Sequence, residues 1–268
     1  MAEQLLETIE IERIIDIAKK AGDKILSVYE KDFEVEFKAD ESPLTEADKL
    51  SHSVIVEGLA QLGLDIPVLS EEGRDIPFEE RKAWTSFWLI DPVDGTKEFV
   101  NKNGEFTVNI ALIEAGMPVL GVVYAPVKHW LYYAKQGDGA FKEEHLDEHA
   151  RTLALPVKED RQEGEIRVVA SKSHLSPETQ RFIDDLIPHY PKLTTQSIGS
   201  SLKICLVAEG LADIYPRLGP TMEWDTGAAH AIALEAGKKL EKFDFEHGYQ
   251  PHRYNKPNLL NDWFVVHG

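Results

Sequence analysis

The segment "WLIDPVDGTKEF", Trp88 to Phe99, runs an apolar stretch straight into two aspartates three residues apart, Asp91 and Asp94. A proline lies between them and Gly95-Thr96 follows. Burying an unpaired carboxylate is costly, so two of them at the end of a buried strand call for a partner. Two further acids share that context, at or just after a strand end or helix start: Glu71 in "VLSEEG" and Asp225 in "MEWDTGAA". An oxygen-only donor set with no matching His or Cys suits a hard cation such as Mg²⁺. Such cations neutralise a phosphate and polarise its attacker in phosphoryl transfer. A glycine followed by a hydroxyl residue at a helix start offers backbone N–H groups to an anion. "DPVDGT" therefore has the parts to hold metal with its aspartates and phosphate with Gly95 and Thr96. Taken singly, each acid is more often a cap or a solvated turn. The joint pattern is what points to chemistry. Phosphoaspartate chemistry, which needs Asp-x-Asp, does not fit the Asp-x-x-Asp spacing with its intervening proline.

These residues need a scaffold. Residues 5–29 carry apolar positions at helical spacing, interrupted only mildly by Gly22. A short extended piece, "FEVEFKA", follows, and a second helix starts near Thr45. There Thr45 and Asp48 have the spacing of a capping box. "IPVLSEEG" reads as a short strand running into acid, and residues 106–141 as three antiparallel strands broken by Ala-Gly, Ala-Pro and Gly-Asp-Gly. The charged stretch 142–165 is the best boundary between halves. Beyond it strands and helices alternate. The expectation is one compact unit with an α+β half, 1–152, carrying most metal ligands, and an α/β half, 153–268, carrying Asp225.

Composition narrows the partners. Among 268 residues, 29 Lys and Arg face 47 Asp and Glu, a formal charge of −18. So acidic a surface argues against nucleic acid or an anionic membrane as partner. A small anionic substrate is compatible only where the field is locally reversed, as a bound divalent cation would do. No apolar run approaches a membrane span, and the acidic start "MAEQLLETIE" is unlike a signal peptide. The single cysteine, Cys205, fits a reducing compartment and, in an apolar helical run, reads as a buried structural thiol. His145 and His149 in "HLDEH" have helical i,i+4 spacing but lie in a charged segment and read as a solvated face.

At this point the sequence resembles a known family. "SEEG", "DPVDGTKEF" and "EWDTGAAHAIALEAG" are similar to the three motifs of the Mg²⁺-dependent, lithium-sensitive phosphatases typified by inositol monophosphatase. "KADESPLTEAD", "GEFTVNIALI", "GVVYAPV", "SIGSSLKICLVAEGLADIYPR" and "GPTMEWDT" resemble its bacterial bisphosphate nucleotidase branch. The resemblance implies a five-layer α/β/α/β/α sandwich and removal of the 3′-phosphate of adenosine 3′,5′-bisphosphate (PAP), with PAPS as a further substrate, in sulfur assimilation. It implies two or three Mg²⁺ ions held by Glu71, Asp91, Asp94, Asp225 and the carbonyl of Val93, Asp91 bridging two of them. Asp48 and Thr96 would position and activate water, and Glu71 is counted with them. "WDTGAAH" departs from the family's Trp-Asp-x-Ala-Ala-Gly by carrying its glycine earlier. The implied location is the cytoplasm, free or peripheral at the inner membrane, as a monomer or homodimer. An inositol phosphate or fructose bisphosphate enzyme of the same fold, and an acidic ion-binding protein without activity, are the alternatives.

Substrate choice falls to the second half. "VVASKSH" ends an expected strand, so Ser171 and His174 lie in the loop at its C-terminal edge. In "SIGSSLK", Gly199 permits close backbone approach and Ser200-Ser201 can cap a helix. Lys203 then sits in the first helical turn, where the dipole does not favour a cation and an anionic ligand would offset that. The resemblance makes Ser171, His174, Gly199, Ser200, Lys203 and Arg217, with Gly95 and Thr96, the substrate contacts.

Overall fold

The computed structural model describes residues 2–31, 35–37, 43–146, 149–157, 163–170 and 175–268. The chain opens with α1 (Ala2–Glu7), α2 (Ile11–Tyr29), β1 (Val35–Phe37), β2 (Pro43–Thr45) and α3 (Glu46–Ala60). Then come β3 (Val68–Ser70), α4 (Phe78–Arg81), β4 (Ser86–Asp94), α5 (Thr96–Val100), β5 (Thr107–Glu114), β6 (Met117–Ala125) and β7 (Trp130–Lys135). β8 (Gly139–Leu146) and β9 (His149–Ala154) follow. The rest is β10 (Glu165–Val169), α6 (Pro177–Leu186), β11 (Lys192–Gln196), α7 (Leu202–Glu209) and β12 (Ile214–Arg217). It ends with α8 (Glu223–Glu235), β13 (Lys239–Asp244), β14 (Gly248–Pro251) and β15 (Phe264–His267).

A seven-stranded sheet has the order β3-β4-β5-β6-β7-β8-β9, parallel at β3–β4 and antiparallel beyond. A six-stranded sheet has the order β11-β10-β12-β15-β13-β14. Strand parity explains how helices fill both faces of the first sheet. Trp88 and Ile90 of β4 and Ile110 and Leu112 of β5 pack with the apolar stripe of α2, Ile14, Ile17, Ala21 and Ile25. Their alternates Phe87, Leu89, Ala111 and Ile113 pack against Ala228 and Ile232 of α8 and Cys205 of α7. Those two helices also touch the second sheet, whose far face is covered by Phe182 and Ile183 of α6. The result is the layered sandwich expected, with α7 and α8 as its middle layer. Close approach is built in at Gly121, where a Cβ would fall 2.1 Å from the carbonyl oxygen of Ala228. The early glycine of "WDTGAAH" has the same use, since a Cβ on Gly227 would meet Leu89 at 2.9 Å.

Some elements differ from the sequence reading. The first helix is two, α1 and α2, separated at Thr8–Glu10, where the Thr8 hydroxyl bonds back to the carbonyl of Leu5. The charged stretch taken as a boundary begins inside the first sheet. Residues 142–154 include the β8–β9 hairpin, so His145 and His149 stand on strands, with Leu146 opposite His149, rather than at helical spacing. The sheet runs to Ala154, two residues past the expected division. The hairpin β13–β14 has no counterpart in that reading, and β13 and β15 give the second half an antiparallel portion. No described helix is long and apolar enough to cross a membrane.

Candidate active site

The acids converge at the C-terminal ends of β3 and β4, and a β-bulge accounts for their spacing. Residues of even and odd parity on β4 face opposite sides, so Asp91 follows Phe87 and Leu89 toward α8. Asp94, three residues on, would by alternation point the other way. The ladder shifts between them: Asp91 pairs with Asn109 and Asp94 with Thr107, three steps on β4 against two on β5. The extra residue restores Asp94 to the side of Asp91. Glu71 reaches the same place because Ser70 pairs with Ile90 and the Glu71 N–H continues to the Ile90 carbonyl. Asp225 arrives as the third residue of α8, its carboxylate accepting the Met222 N–H at 2.9 Å in a capping arrangement.

Carboxylate oxygens of Asp91, Asp94 and Asp225 all lie within 4.8 Å of one another. They share a cavity of ≈ 350 Å³ with Glu71, Val93, Gly95 and Thr96. Burial, followed by the charges of Glu71, Asp94 and Asp225, pushes the Asp91 carboxyl well above the usual carboxylate range. Burial, then the charge of Asp94, does the same to Asp225. Asp94 is raised by burial to about 6, against the opposing pull of Lys203 and the Ser201 N–H. Three carboxylates this close resist ionising together. The all-oxygen donor set and this crowding fit a hard divalent cation, which would hold them charged. Asp91, Asp94 and Asp225 could hold it, and Glu71 lines the same cavity.

Asp94 is the most supported of the set. It accepts from the Ser201 N–H at 2.6 Å and from the Asn109 side chain at 3.3 Å. Asn109 in turn accepts from the hydroxyls of Thr107 and Ser201 at 3.0 and 2.9 Å. Thr107 and Asn109 were missed in the sequence, although two polar residues two apart in the buried strand "FTVNIALI" are a readable signal.

Asp48 does serve as a cap. One of its oxygens accepts from both the N–H and the hydroxyl of Thr45 at 2.7 Å. Its other oxygen faces the Thr96 hydroxyl at 3.5 Å, and that hydroxyl is 3.3 Å from the carbonyl of Val93. α3 is pinned here by Ser51, which donates to the Pro92 carbonyl at 2.8 Å. Gly95, at φ +92, makes the left-handed turn that starts α5 and presents Thr96.

A second cavity of ≈ 140 Å³ shares the wall formed by Asp94, Gly95, Glu98 and Asp225. Ser200, Lys203 and Arg217 line its other side. Lys203 is not a solvated side chain: its ammonium lies 3.3 Å from the Ile198 carbonyl, and burial lowers its pKa against the pull of Asp94. The Ser200 hydroxyl and the Arg217 Nε are buried with no hydrogen-bond partner among the described residues. Glu98, which lines both cavities, went unassigned in the sequence although it stands within "DPVDGTKEF". Gly199 is engaged elsewhere. Its N–H donates to Glu105 at 2.9 Å, and a Cβ there would sit 2.6 Å from the Glu105 carbonyl oxygen, so its close approach is to protein. Ser171 and His174 lie outside the described residues. Cys205 is buried and its thiol is pushed well up by burial, as a structural cysteine should be.

The sequence matches the model of the inositol monophosphatase family over residues 7–261. It is 52% identical over 233 residues to the 3′(2′),5′-bisphosphate nucleotidase CysQ of Salmonella typhimurium, across 85% of this chain and 88% of that one. To the protein of the same name in Escherichia coli strain K12 it is 49% identical over 233 residues, again across 85% and 88%. The crystal structure of CysQ from Bacteroides thetaiotaomicron superposes with a TM-score of 0.84 at 47% identity, covering 96% of each chain.

Proposed function

The chain belongs to the inositol monophosphatase family, and we propose that it is a Mg²⁺-dependent 3′(2′),5′-bisphosphate nucleotidase that hydrolyses PAP to AMP and phosphate. The observation that carries this reading is the pairing of two adjoining cavities. One gathers Asp91, Asp94 and Asp225 within 4.8 Å beside Thr96. The other presents Lys203 and Arg217. A substrate with two phosphates finds a separate environment for each, whereas a monophosphate would leave Lys203 and Arg217 unused. Lys203 and Arg217 also offset the acids Asp94, Glu98 and Asp225 that line the same cavity in a protein of net charge −18.

When bound, Mg²⁺ neutralises the phosphate and acidifies water at neutral pH. The chain's own residues do the rest. The Thr96 hydroxyl, held between Asp48 and the Val93 carbonyl, orients the attacking water, and the second Asp48 oxygen takes the proton by way of that hydroxyl. Attack on phosphorus breaks the bond to the 3′-oxygen, which leaves as an alkoxide and takes a proton from solvent water to become the ribose hydroxyl, while Asp48 returns its proton to solvent. Ser200 and Arg217, whose buried Oγ and Nε have no partner among the described residues, and Lys203 hold the phosphate that is not cleaved. PAPS fits the same arrangement, its 3′-phosphate being the one removed.

Product analysis tests this reading. Incubation of PAP with the protein and Mg²⁺ should yield 5′-AMP and one phosphate. Release of the 5′-phosphate instead, giving 3′-AMP, would reverse the assignment of the two cavities.

A further inference from the structure

The ligands Asp91 and Asp94 are fixed by strand β4, but Glu71 and Asp225 come from outside it, on a loop of the first half and a helix start of the second. Between them lies a buried group that the chemistry above does not use. Arg81, 2% exposed at the end of α4, follows the Glu71 loop and bonds its Ile76 carbonyl at 3.3 Å. Glu223, fully buried, is two residues before Asp225. The two charges act on the opposite sides of one turn. Arg81 donates to the carbonyls of Lys256 and Pro257 at 2.6 and 3.0 Å. Glu223 accepts the N–H groups of Asn255 and Lys256 at 2.7 and 3.0 Å and the Lys256 ammonium at 2.7 Å. The peptide dipoles of the turn are thus aligned between a buried cation and a buried anion. Asn255 closes the arrangement. At φ +65, its side chain accepts from Arg81 Nη1 at 2.8 Å and donates to the Arg81 carbonyl at 2.8 Å.

We propose that Arg81, Asn255, Lys256 and Glu223 form a clasp that sets the separation between Glu71 and Asp225, and so the affinity of the site for its divalent cation. They are positioning residues, acting through the two ligands rather than on the substrate. The inference rests on the metal-site reading above. A structural pair of charges alone would not need a turn strained at Asn255, nor to join the one loop and the one helix start that bring ligands from outside β4. Asn261 extends the clasp to the cap of α8, donating to the Met222 carbonyl at 2.7 Å, beside the N–H that Asp225 accepts.

Removing Arg81 or Glu223 outright would strand a buried charge and risks the fold. Asn255→Gly avoids this, because glycine takes the positive φ without strain while both side-chain bonds to Arg81 are lost. Lys256→Met breaks the Glu223 ion pair from the other side while leaving Glu223 the backbone N–H groups of residues 255 and 256. Mg²⁺ binding is measured by calorimetry on the folded proteins, with Ile183→Ala in the outer core as a destabilised control remote from the clasp. Both clasp variants should bind Mg²⁺ about tenfold more weakly than wild type, as loss of groups behind a metal ligand does, while the control keeps wild-type affinity at a lower Tm. Clasp variants that lose Tm but keep wild-type Mg²⁺ affinity would show a merely structural role and overturn the inference alone. A wild-type protein that binds no Mg²⁺ would overturn both it and the metal-site reading.

Discussion

Asp94 of β4 accepts the backbone N–H of Ser201 at 2.6 Å, so a carboxylate of the first sheet is held by the residue that starts α7. Lys203, two residues further, adds its charge to the same carboxylate. One helix start therefore holds a carboxylate of the acidic cluster and lines the cavity proposed for the second phosphate.

Replacing that ligand should remove activity. Asp94→Asn keeps the shape and deletes the charge the cation needs. Turnover should fall more than about a hundredfold, on the order of 3 kcal/mol. The variant is assayed at saturating Mg²⁺ with its Tm checked, and a loss under about fivefold would remove Asp94 from the ligand set.

Thr96→Ala separates chemistry from binding. The hydroxyl contacts Asp48 and the Val93 carbonyl rather than a carboxylate of the metal cluster. Mg²⁺ affinity and Tm should hold nearly constant while kcat drops by about a hundredfold. Wild-type kcat in this variant would reduce Thr96 to a helix-start residue.

Lys203→Ala should raise KM for PAP by roughly tenfold, about 1.4 kcal/mol of binding. Hydrolysis of a small phosphomonoester without a second phosphate should change little. Equal losses on both substrates would place Lys203 in the common chemistry, through Asp94, instead of in substrate choice.

The pH dependence has a definite sign. The Asp94 pKa is raised to about 6 from about 3.9 for a free aspartate. A carboxyl raised in the folded state favours folding while protonated, and that contribution is lost as pH climbs from about 4 through about 6. Mg²⁺ must displace the same proton. The rise in Tm that Mg²⁺ produces should therefore be large near about pH 8 and shrink as pH falls through 6. In Lys203→Ala the transition should move to higher pH, because the lysine charge lowers the Asp94 pKa. A Mg²⁺-induced shift that is flat across this range would contradict the assignment.

How far the sequence could be read follows from what was local. The Thr45–Asp48 cap and the four acids were legible because each motif is a short run. The bulge that turns Asp-x-x-Asp into one face was not, since it exists only in the pairing of β4 with Asn109 and Thr107. The β8–β9 hairpin was read as a charged boundary because its charges are matched by distant partners, Glu143 by Lys19 and Lys142 by Glu209, which the local run does not show. The contact between Arg81 and Asn255 spans 174 residues, and no pattern in either neighbourhood announces it. Lys203 was found by its helix position, but its burial against Asp94 depends on how β4 meets α7.

The central claim is tested most directly by phosphate release from PAP, PAPS and inositol 1-phosphate, measured side by side with Mg²⁺ and again with excess EDTA. PAP should be hydrolysed with the highest kcat/KM, inositol 1-phosphate far more slowly, and EDTA should abolish all turnover until Mg²⁺ is restored. Turnover of PAP that persists in EDTA, or inositol 1-phosphate outrunning PAP, would contradict the account.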